Sequence, residues 1–355
     1  MRTSGETSRE YELQVVEGLE GFAEQEVVET LAPGTRVTGR PGPGRLSVTH
    51  GGHATSLNAL RTVLAAHLVE RFEVPRPKAL LGYENLGKLL RSLKGVVESY
   101  PAGSFETVRI SAAGADSSVF KRLAAEIASP LELEVTTGPA NLQVTCRRPP
   151  NGTPGWQVLV RTSPMPLSAR KWRVRDYPGA LNATVANVMA RLCGGQAAGT
   201  FLNLACGSAT LIIERLGLAP GGTVVGVDNS GKALDAARAN LRAAGHGGTA
   251  SLLLADARSV PLPSGSVDAM VADLPYGMLT GAGSDLAGLY EAMLAEATRL
   301  ARPSAALVVI TARKRAFESA VRRVEERWAQ ESVVPISVPF RSGYLRPNIY
   351  ALRRR

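Results

Sequence analysis

The strongest constraint on the fold is a regular alternation of short apolar runs and helical patterns along residues 200–310. The runs have the length and composition of strands, and Gly, Pro and Ser fill the short connections. We predict strands at 200–204, 223–227, 251–254, 268–272 and 305–311, helices at 208–217, 230–244, 286–301 and 314–327, and two last strands at 332–339 and 348–352. This order predicts an α/β, Rossmann-like domain with a seven-stranded, mostly parallel sheet.

The first 165 residues follow a different pattern, in which short strands and helices are mixed. We predict strands at 11–16, 45–49, 108–112, 142–147 and 157–162, helices at 21–31, 57–70, 84–99 and 117–128, and a turn-rich stretch at 39–44. Such a mixture is typical of one or two small α+β units. Residues 163–176 are expected to form a basic linker, and a helix at 178–193 leads into the second domain.

Composition narrows the classes of protein that need to be considered. The 355 residues are enough for two or three domains. We find no apolar run of about 18 residues and no apolar core in the first ten residues, so neither a membrane span nor a secretory signal is expected. Three widely spaced cysteines favour reduced thiols in the cytoplasm, and with only four histidines a structural zinc site is not expected.

The positive charge is concentrated in one part of the chain. Residues 31–175 contain 20 basic and 9 acidic side chains, and residues 161–175 contain five basic side chains and no acid. Such an excess is common in proteins that bind nucleic acid, although it also serves solubility.

Small residues and acids follow successive predicted strands. The turn at 205–210 connects the first strand to a helix and would let a ligand approach the backbone and the helix N-terminus. Asp228 ends the second strand, 21 positions after Gly207, where it could accept hydrogen bonds from an adenosine ribose. Asp256 follows the third strand and could accept from the adenine amine. This series fits either NAD or S-adenosylmethionine.

The fourth strand ends in Asp273-Leu274-Pro275-Tyr276, which resembles the (D/N/S)-P-P-(Y/F) signature of methyltransferases acting on planar nitrogens. An amine conjugated to a base is a poor nucleophile, because its lone pair is delocalised into the ring. Asp273 could accept one amine hydrogen and a carbonyl of Leu274 or Pro275 the other, while Tyr276 offers a face on which the base can stack. Catalysis would then rest mainly on orientation and proximity.

Four motifs resemble the methyltransferase domain of the THUMP-containing RNA guanine-N2 methyltransferases: NLACGSAT (203–210), GVDNS (226–230), LADAR (254–258) and DLPYG (273–277). The resemblance covers nearly the whole chain and implies four parts. These are a ferredoxin-like segment (1–60), a THUMP-like RNA-binding module (61–165), a basic linker (166–176) and a Rossmann-like methyltransferase domain (177–355).

The resemblance also implies a cofactor, S-adenosylmethionine, a substrate, tRNA, and a site without metal. The residues expected at the cofactor are Asn203, Ala205, Cys206, Gly207, Ser208, Thr210, Asp228, Asn229, Asp256, Ala257 and Asp273. Residues 273–276 would hold the target guanine. Two positions depart from the family pattern: Asn203 replaces an acid that would face the cofactor's ammonium group, and Ala209 replaces a glycine.

The linker is expected to contact RNA through Arg170, Lys171, Arg173 and Arg175, with a solvated run of charges as the alternative. Ribosomal RNA is the alternative substrate, and DNA adenine or protein glutamine is a further one. A non-catalytic RNA-binding protein that retains the fold, and an NAD dehydrogenase, are the alternatives from other classes.

Overall fold

The computed structural model describes residues 8–194, 199–275, 285–340 and 343–355. The chain divides into two compact units, Met1–Ser168 and Ala169–Arg355. The division lies inside the predicted linker.

The described residues of the first unit form an eight-stranded sheet and three α-helices. Its strands are β1 (Arg9–Val15), β2 (Arg36–Gly42), β3 (Arg45–His50), β4 (Val63–Phe72), β5 (Thr107–Ala112), β6 (Glu134–Val135), β7 (Leu142–Arg147) and β8 (Trp156–Arg161). Its helices are α1 (Glu20–Thr30), α2 (Tyr83–Val97) and α3 (Ser118–Ala128), and short 3-10 turns lie at Ala54–Ala59, Pro77–Leu81, Ser129–Leu131 and Pro150–Gly152. The strand order is β2-β3-β1-β4-β8-β7-β5-β6, so the predicted segments 1–60 and 61–165 share one sheet.

The predicted helix at 57–70 is wrong, because most of that stretch is the central strand β4. The run VLAAHLVERF has apolar residues at spacings that suit a helix as well as a strand. Pairing decides the outcome, since β4 lies between β1 and β8 and is antiparallel to both. The predicted turn at 39–44 also differs, because β2 continues to Gly42 and pairs with β3 through an irregular register.

The second unit contains the predicted seven-stranded sheet. Its sheet strands are β9 (Thr200–Leu204), β10 (Thr223–Asp228), β11 (Ala250–Leu254), β12 (Val267–Asp273), β13 (Ala301–Thr311), β14 (Trp328–Pro335) and β17 (Asn348–Arg354). A small hairpin adds β15 (Val338–Phe340) and β16 (Gly343–Leu345). The helices are α4 (Ala183–Leu192), α5 (Thr210–Leu218), α6 (Gly231–Ala243), α7 (Leu286–Leu300) and α8 (Lys314–Arg322).

The strand order β11-β10-β9-β12-β13-β17-β14 confirms a Rossmann-like sheet that is mostly parallel. Only β17 runs antiparallel to its two neighbours, β13 and β14. Residues 306–311 of β13 are buried throughout, as expected for a strand covered on both faces. Helix α8 ends at Arg322, five residues before its predicted end at 327, and residues 323–327 form turns that lead into β14.

Among the residues that the structure describes, no helix is both long and apolar enough to cross a bilayer.

Candidate functional site

The carboxyl ends of five parallel strands meet at one edge of the second sheet. Strand β10 pairs in parallel with β9 and β11, and β12 pairs in parallel with β9 and β13. The loop after β9 therefore shares this edge with Asp228, Asp256 and Asp273, which end or follow β10, β11 and β12. Open α/β sheets bind their ligands at such an edge, so the fold brings the predicted cofactor and amine-binding residues together.

The loop after β9 is tightly wound and fixed by backbone hydrogen bonds. Ala205, Gly207 and Ala209 have positive φ angles of 51°, 53° and 68°. The N–H of Cys206 donates to the carbonyl of Val227 at 2.8 Å, and the N–H of Ala209 donates to the carbonyl of Cys206 at 2.9 Å. Ala209 is fully buried and holds a left-handed conformation that favours glycine, at a cost of about 1 kcal/mol or more.

Asp228 connects this loop to the start of α6. Its Oδ2 accepts a hydrogen bond from the N–H of Gly207 at 2.8 Å, and its Oδ1 accepts from the N–H of Ser230 at 2.9 Å. A carboxylate has about four acceptor positions, so two remain for a ligand. The carboxylate is therefore fixed in place before any ligand arrives, which suits the predicted role of holding two hydroxyls.

Asp256 is engaged differently, by a side chain from its own loop. Arg258 donates to both of its carboxylate oxygens, with Nη2–Oδ2 at 2.6 Å, and the backbone N–H of Arg258 donates to Oδ1 at 2.9 Å. The side-chain hydrogen bonds from Arg258 lower the pKa of Asp256. A ligand amine would compete with Arg258 for this carboxylate. Asn229 is exposed and Ala257 is half-buried.

Two buried polar atoms at the start of the loop have no partner among the described residues. Asn203 is fully buried, its Nδ2 donates to the carbonyl of Val271 at 3.3 Å, and its Oδ1 is unpartnered. The hydroxyl oxygen of Ser208, also buried, is unpartnered as well. Buried acceptors of this kind ordinarily have a donor, and an ammonium group is one donor that would satisfy them.

The turn after β12 is anchored on both sides. The N–H of Leu274 donates to the carbonyl of Ile310 at 3.1 Å, which extends the β12–β13 pairing by one residue. The hydroxyl of Tyr290 donates to the carbonyl of Pro275 at 2.6 Å. Leu274 is buried, while Asp273 and Pro275 are half-buried. The predicted stacking residue Tyr276 lies outside the described residues.

Sequence reasoning missed Tyr290 and Thr311, which support this turn. The hydroxyls of Tyr290 and Thr311 are 3.1 Å apart, and both side chains are fully buried. The only sequence signal was a tyrosine within the apolar face of the predicted helix at 286–301, and the pattern treats that position as core.

Comparison with known proteins finds a family model that matches the second unit. Residues 170–340 match UPF0020, described as the RMKL-like methyltransferase domain. The second unit is therefore similar to the methyltransferase domain of this family over almost all of its length.

Curated relatives resemble the chain over part of its length. The chain is 35% identical over 130 residues to the U6 snRNA (guanine-N(2))-methyltransferase THUMPD2 of Bos taurus, covering 37% of the chain and 25% of the relative. It is 25% identical over 199 residues to the tRNA (guanine(6)-N2)-methyltransferase of Methanocaldococcus jannaschii, covering 46% of the chain and 52% of the relative. The chain thus spans between a quarter and about half of these relatives' lengths.

A solved structure shares the fold over nearly the whole chain. TrmN from Thermus thermophilus superposes with a TM-score of 0.72 at 22% identity, covering 98% of the chain and 99% of TrmN. At this identity the likeness concerns the fold, including that of the first unit.

The basic segment from Arg170 to Arg175 contains both inward and outward side chains. Arg170 is buried and its Nε lies 2.9 Å from Oε1 of Glu214 in α5, so the structure gives it a structural role in place of the predicted contact with RNA. Arg173 is half-buried and donates to the carbonyl of Leu181 at 2.9 Å. Lys171 and Arg175 are exposed, and their contact with phosphates stays a prediction.

This segment also contacts the loop after β9 and the start of α5. Asn240 of α6 accepts a hydrogen bond from the N–H of Arg175 at 2.9 Å and donates to the carbonyls of Arg175 and Ser208 at 3.0 and 3.2 Å. The Nη2 of Arg173 donates to the hydroxyl of Thr210 at 3.2 Å. A hollow of about 480 Å³ follows at residues 176–180, close in sequence to these contacts.

A second cavity, of about 310 Å³, belongs to the opposite edge of the sheet. It is lined by Thr200 and Asp268, near the amino ends of β9 and β12. It therefore lies away from the loop after β9 and the turn after β12, which contain the candidate cofactor-binding and amine-binding residues.

Proposed function

We propose that the protein is an S-adenosylmethionine-dependent RNA methyltransferase that methylates the exocyclic N2 amine of a guanine in tRNA. The observation that carries this proposal is the anchored Asp273–Leu274–Pro275 turn, on the same sheet edge as the loop fixed by Asp228. The names of the relatives, which specify guanine N2 in tRNA or U6 snRNA, support the same chemistry.

The residues at the edge fit the cofactor. When bound, S-adenosylmethionine supplies a methyl group on an electrophilic sulfonium. The unpartnered acceptors of Asn203 and Ser208 suit its ammonium group, and the spare acceptor positions of Asp228 suit its ribose hydroxyls. Asp256 would hold the adenine amine. Asn203 is neutral where the family pattern has an acid, so its contribution is a hydrogen bond without a full charge.

The turn supplies orientation for the nucleophile. The guanine amine has two hydrogens, and its lone pair is delocalised into the ring. Asp273 accepts one hydrogen and a backbone carbonyl of the turn accepts the other, so that the nitrogen can be held with its lone pair toward the methyl group. Orientation and proximity of this kind contribute up to roughly 7–11 kcal/mol in favourable cases. A base within a helix must first be extruded to reach the turn.

RNA binding is assigned to the first unit and to the exposed part of the linker. The first unit would act as a THUMP-like module with a ferredoxin-like segment, and the excess of basic residues over 31–175 supports this role. Lys171 and Arg175 would contact phosphates, which position RNA without reading its sequence. Free, buried cysteines, Cys146, Cys193 and Cys206, suit a reducing cytoplasm.

The decisive experiment is methyl transfer from labelled S-adenosylmethionine to bulk tRNA, ribosomal RNA and U6 snRNA, followed by nucleoside analysis. Labelled N2-methylguanosine from tRNA is the expected result. The same nucleoside from only one of the other RNAs would correct the substrate. Intact cofactor binding without transfer to any RNA would favour the non-catalytic alternative.

Asp273→Ala tests the assignment of the turn. We expect loss of methyl transfer with cofactor affinity largely retained, because Asp273 is proposed to act mainly on the amine. Asp235→Ala is the matched control, since it removes an exposed carboxylate from α6 and should leave transfer unchanged. Activity of Asp273→Ala within about tenfold of the wild type would contradict the assignment.

A further inference from the structure

Tyr290 is a buried tyrosine whose hydroxyl is committed to the proposed amine-binding turn. Its side chain is fully buried in α7, and its ring contacts Phe317 edge-to-face with centroids 6.2 Å apart. Packing alone would be served by phenylalanine. The hydroxyl instead reaches the carbonyl of Pro275 at 2.6 Å, 15 residues earlier in the chain.

The hydrogen-bond directions in this group are fixed by elimination. The single hydroxyl hydrogen of Tyr290 goes to Pro275, whose carbonyl can only accept. The hydroxyl of Thr311 must therefore donate to the oxygen of Tyr290 at 3.1 Å. Thr311 in turn accepts from the N–H of Arg313 at 3.0 Å. A series of hydrogen bonds with fixed donors and acceptors thus runs from the backbone at the start of α8 to the turn after β12.

We propose that Tyr290, oriented by Thr311, is a positioning residue that fixes the Pro275 carbonyl and so the geometry of the Asp273–Pro275 turn for the guanine amine. The inference rests on the proposed function. The inference also makes the proposed function more specific. Because Tyr290 occupies one acceptor position of the Pro275 carbonyl, the Leu274 carbonyl becomes the preferred acceptor for the second amine hydrogen.

Physical reasons favour a positioning role over a purely structural one. Among the described residues, the N–H of Leu274 anchors the turn to the carbonyl of Ile310, and the hydroxyl of Tyr290 anchors it again at the carbonyl of Pro275. Burial raises the pKa of Tyr290, so its hydroxyl remains a donor across the neutral range. A displacement of about 1 Å at a reacting group can reduce a rate by about 100-fold, whereas loss of one hydroxyl from a packed ring changes the fold little.

The test is Tyr290→Phe, with Tyr350→Phe as the matched control. Tyr350 is also fully buried, contacts Phe317 with centroids 4.8 Å apart, and donates its hydroxyl to Glu318, away from the turn. We expect Tyr290→Phe to lower kcat about 10- to 100-fold with KM for cofactor and RNA within about twofold. Tyr350→Phe should keep kcat within about twofold. Equal losses in both variants, or kcat of Tyr290→Phe within twofold of wild type, would overturn the proposal.

Thr311 provides a rescue experiment. Thr311→Val removes the donor that orients Tyr290 and should lower kcat by a smaller factor, about 3- to 10-fold, because the hydroxyl of Tyr290 can still reach Pro275. Thr311→Ser restores the donor and should recover the wild-type kcat. Failure of serine to restore kcat would contradict the proposed donor role of the Thr311 hydroxyl.

Amide hydrogen exchange separates this inference from the proposed function. If the wild type methylates no RNA, the proposed function fails, while exchange still reports on the turn. Tyr290→Phe should accelerate exchange of a peptide containing the Leu274 amide about tenfold or more, and Tyr350→Phe should not. Unchanged exchange in Tyr290→Phe would overturn the positioning role even in an active enzyme.

Discussion

Two pairs of basic side chains in the segment from Arg170 to Arg175 have opposite surroundings. The side chain of Arg170 is 4% exposed and is paired with Glu214, which is fully buried, while Arg173 is half-buried beside it. Lys171 and Arg175 are exposed, although the backbone of Arg175 is held on both sides by Asn240. A run of charges can therefore serve packing and RNA binding at alternate positions, and only the outward members are available to phosphates.

The largest effect on stability is expected when the buried ion pair between Arg170 and Glu214 is broken. Glu214→Gln keeps the shape of the side chain but removes the negative charge that is paired with the buried Arg170. It also replaces the carboxylate that accepts from Asn187 at 3.0 Å. Removal of one partner of a buried ion pair costs about 3–5 kcal/mol. Urea unfolding followed by tryptophan fluorescence measures this loss, because Trp172 and Trp328 are both buried in the second unit.

An exposed ion pair provides the control for that comparison. Asp235 and Arg238 are paired on the surface of α6 at 2.8 Å, three residues apart. Asp235→Asn should change the free energy of unfolding by less than about 1 kcal/mol. A similar loss in the two variants would show that burial of the Arg170–Glu214 pair is not what stabilises the segment.

His67 is another basic side chain in a buried environment, and there burial favours its neutral form. It lies on β4, burial lowers its pKa to about 4, and its Nδ1 has no partner among the described residues. In the unfolded chain the pKa of His67 is higher, at about 6.5. The stability that neutral His67 contributes is therefore fully present above pH 6.5. It is lost as pH falls from 6.5 to 4, by roughly 3 kcal/mol in total.

Urea unfolding at pH 7 and pH 4.5 tests this expectation. The wild type should lose more free energy of unfolding between these values than His67→Leu, in which no imidazole can titrate. Other groups titrate in both proteins, so the difference between the two slopes is the quantity of interest. Equal slopes would show that His67 does not become protonated preferentially in the unfolded chain.

The sequence predicted the carboxyl edge well because its signals are local. Strand ends followed by small residues or acids identify the positions of Gly207, Asp228 and Asp273 without knowledge of the rest of the chain. The order of parallel strands then follows from the alternation of strands and helices. This information is sufficient to place the candidate site at the carboxyl edge of the sheet.

Features that depend on distant partners could not be predicted in the same way. Burial of Arg170 depends on Glu214, 44 residues later, and the anchor of Pro275 depends on Tyr290. The apolar run of β4 was assigned to a helix, since only its pairing with β1 and β8 distinguishes the two structures. Periodicity identifies a buried face but does not identify what covers it.

A smaller effect, on RNA binding, is expected from replacing the two exposed side chains of Lys171 and Arg175. The double variant Lys171→Ala, Arg175→Ala should weaken RNA binding by about tenfold at low salt and reduce the salt slope by about two. Stability should stay within about 0.5 kcal/mol of wild type, as for most surface substitutions. Filter binding of tRNA across a salt series measures both quantities.

Another pair of exposed basic residues controls for net charge. Lys232→Ala, Arg238→Ala removes the same number of charges from the exposed face of α6. Its RNA affinity should change by less than about twofold. If both double variants weaken binding equally, the effect is one of overall charge, and the linker has no special contact with RNA.

The smallest effect is expected for Arg258, an outward arginine that holds an acid of the candidate cofactor site. Arg258→Ala removes the side-chain hydrogen bonds to Asp256, the largest cause of its lowered pKa, and leaves the backbone N–H of residue 258 donating to Oδ1. The carboxylate stays ionised at pH 7, since its pKa rises only toward the ordinary value near 3.9. Cofactor binding should therefore tighten by up to about threefold, measured by calorimetry, while Asp256→Asn should weaken it by about two- to tenfold. Weaker binding in both variants would show that the adenine end requires the ion pair itself, and the contrast between Asp256 and the backbone-fixed Asp228 would then disappear.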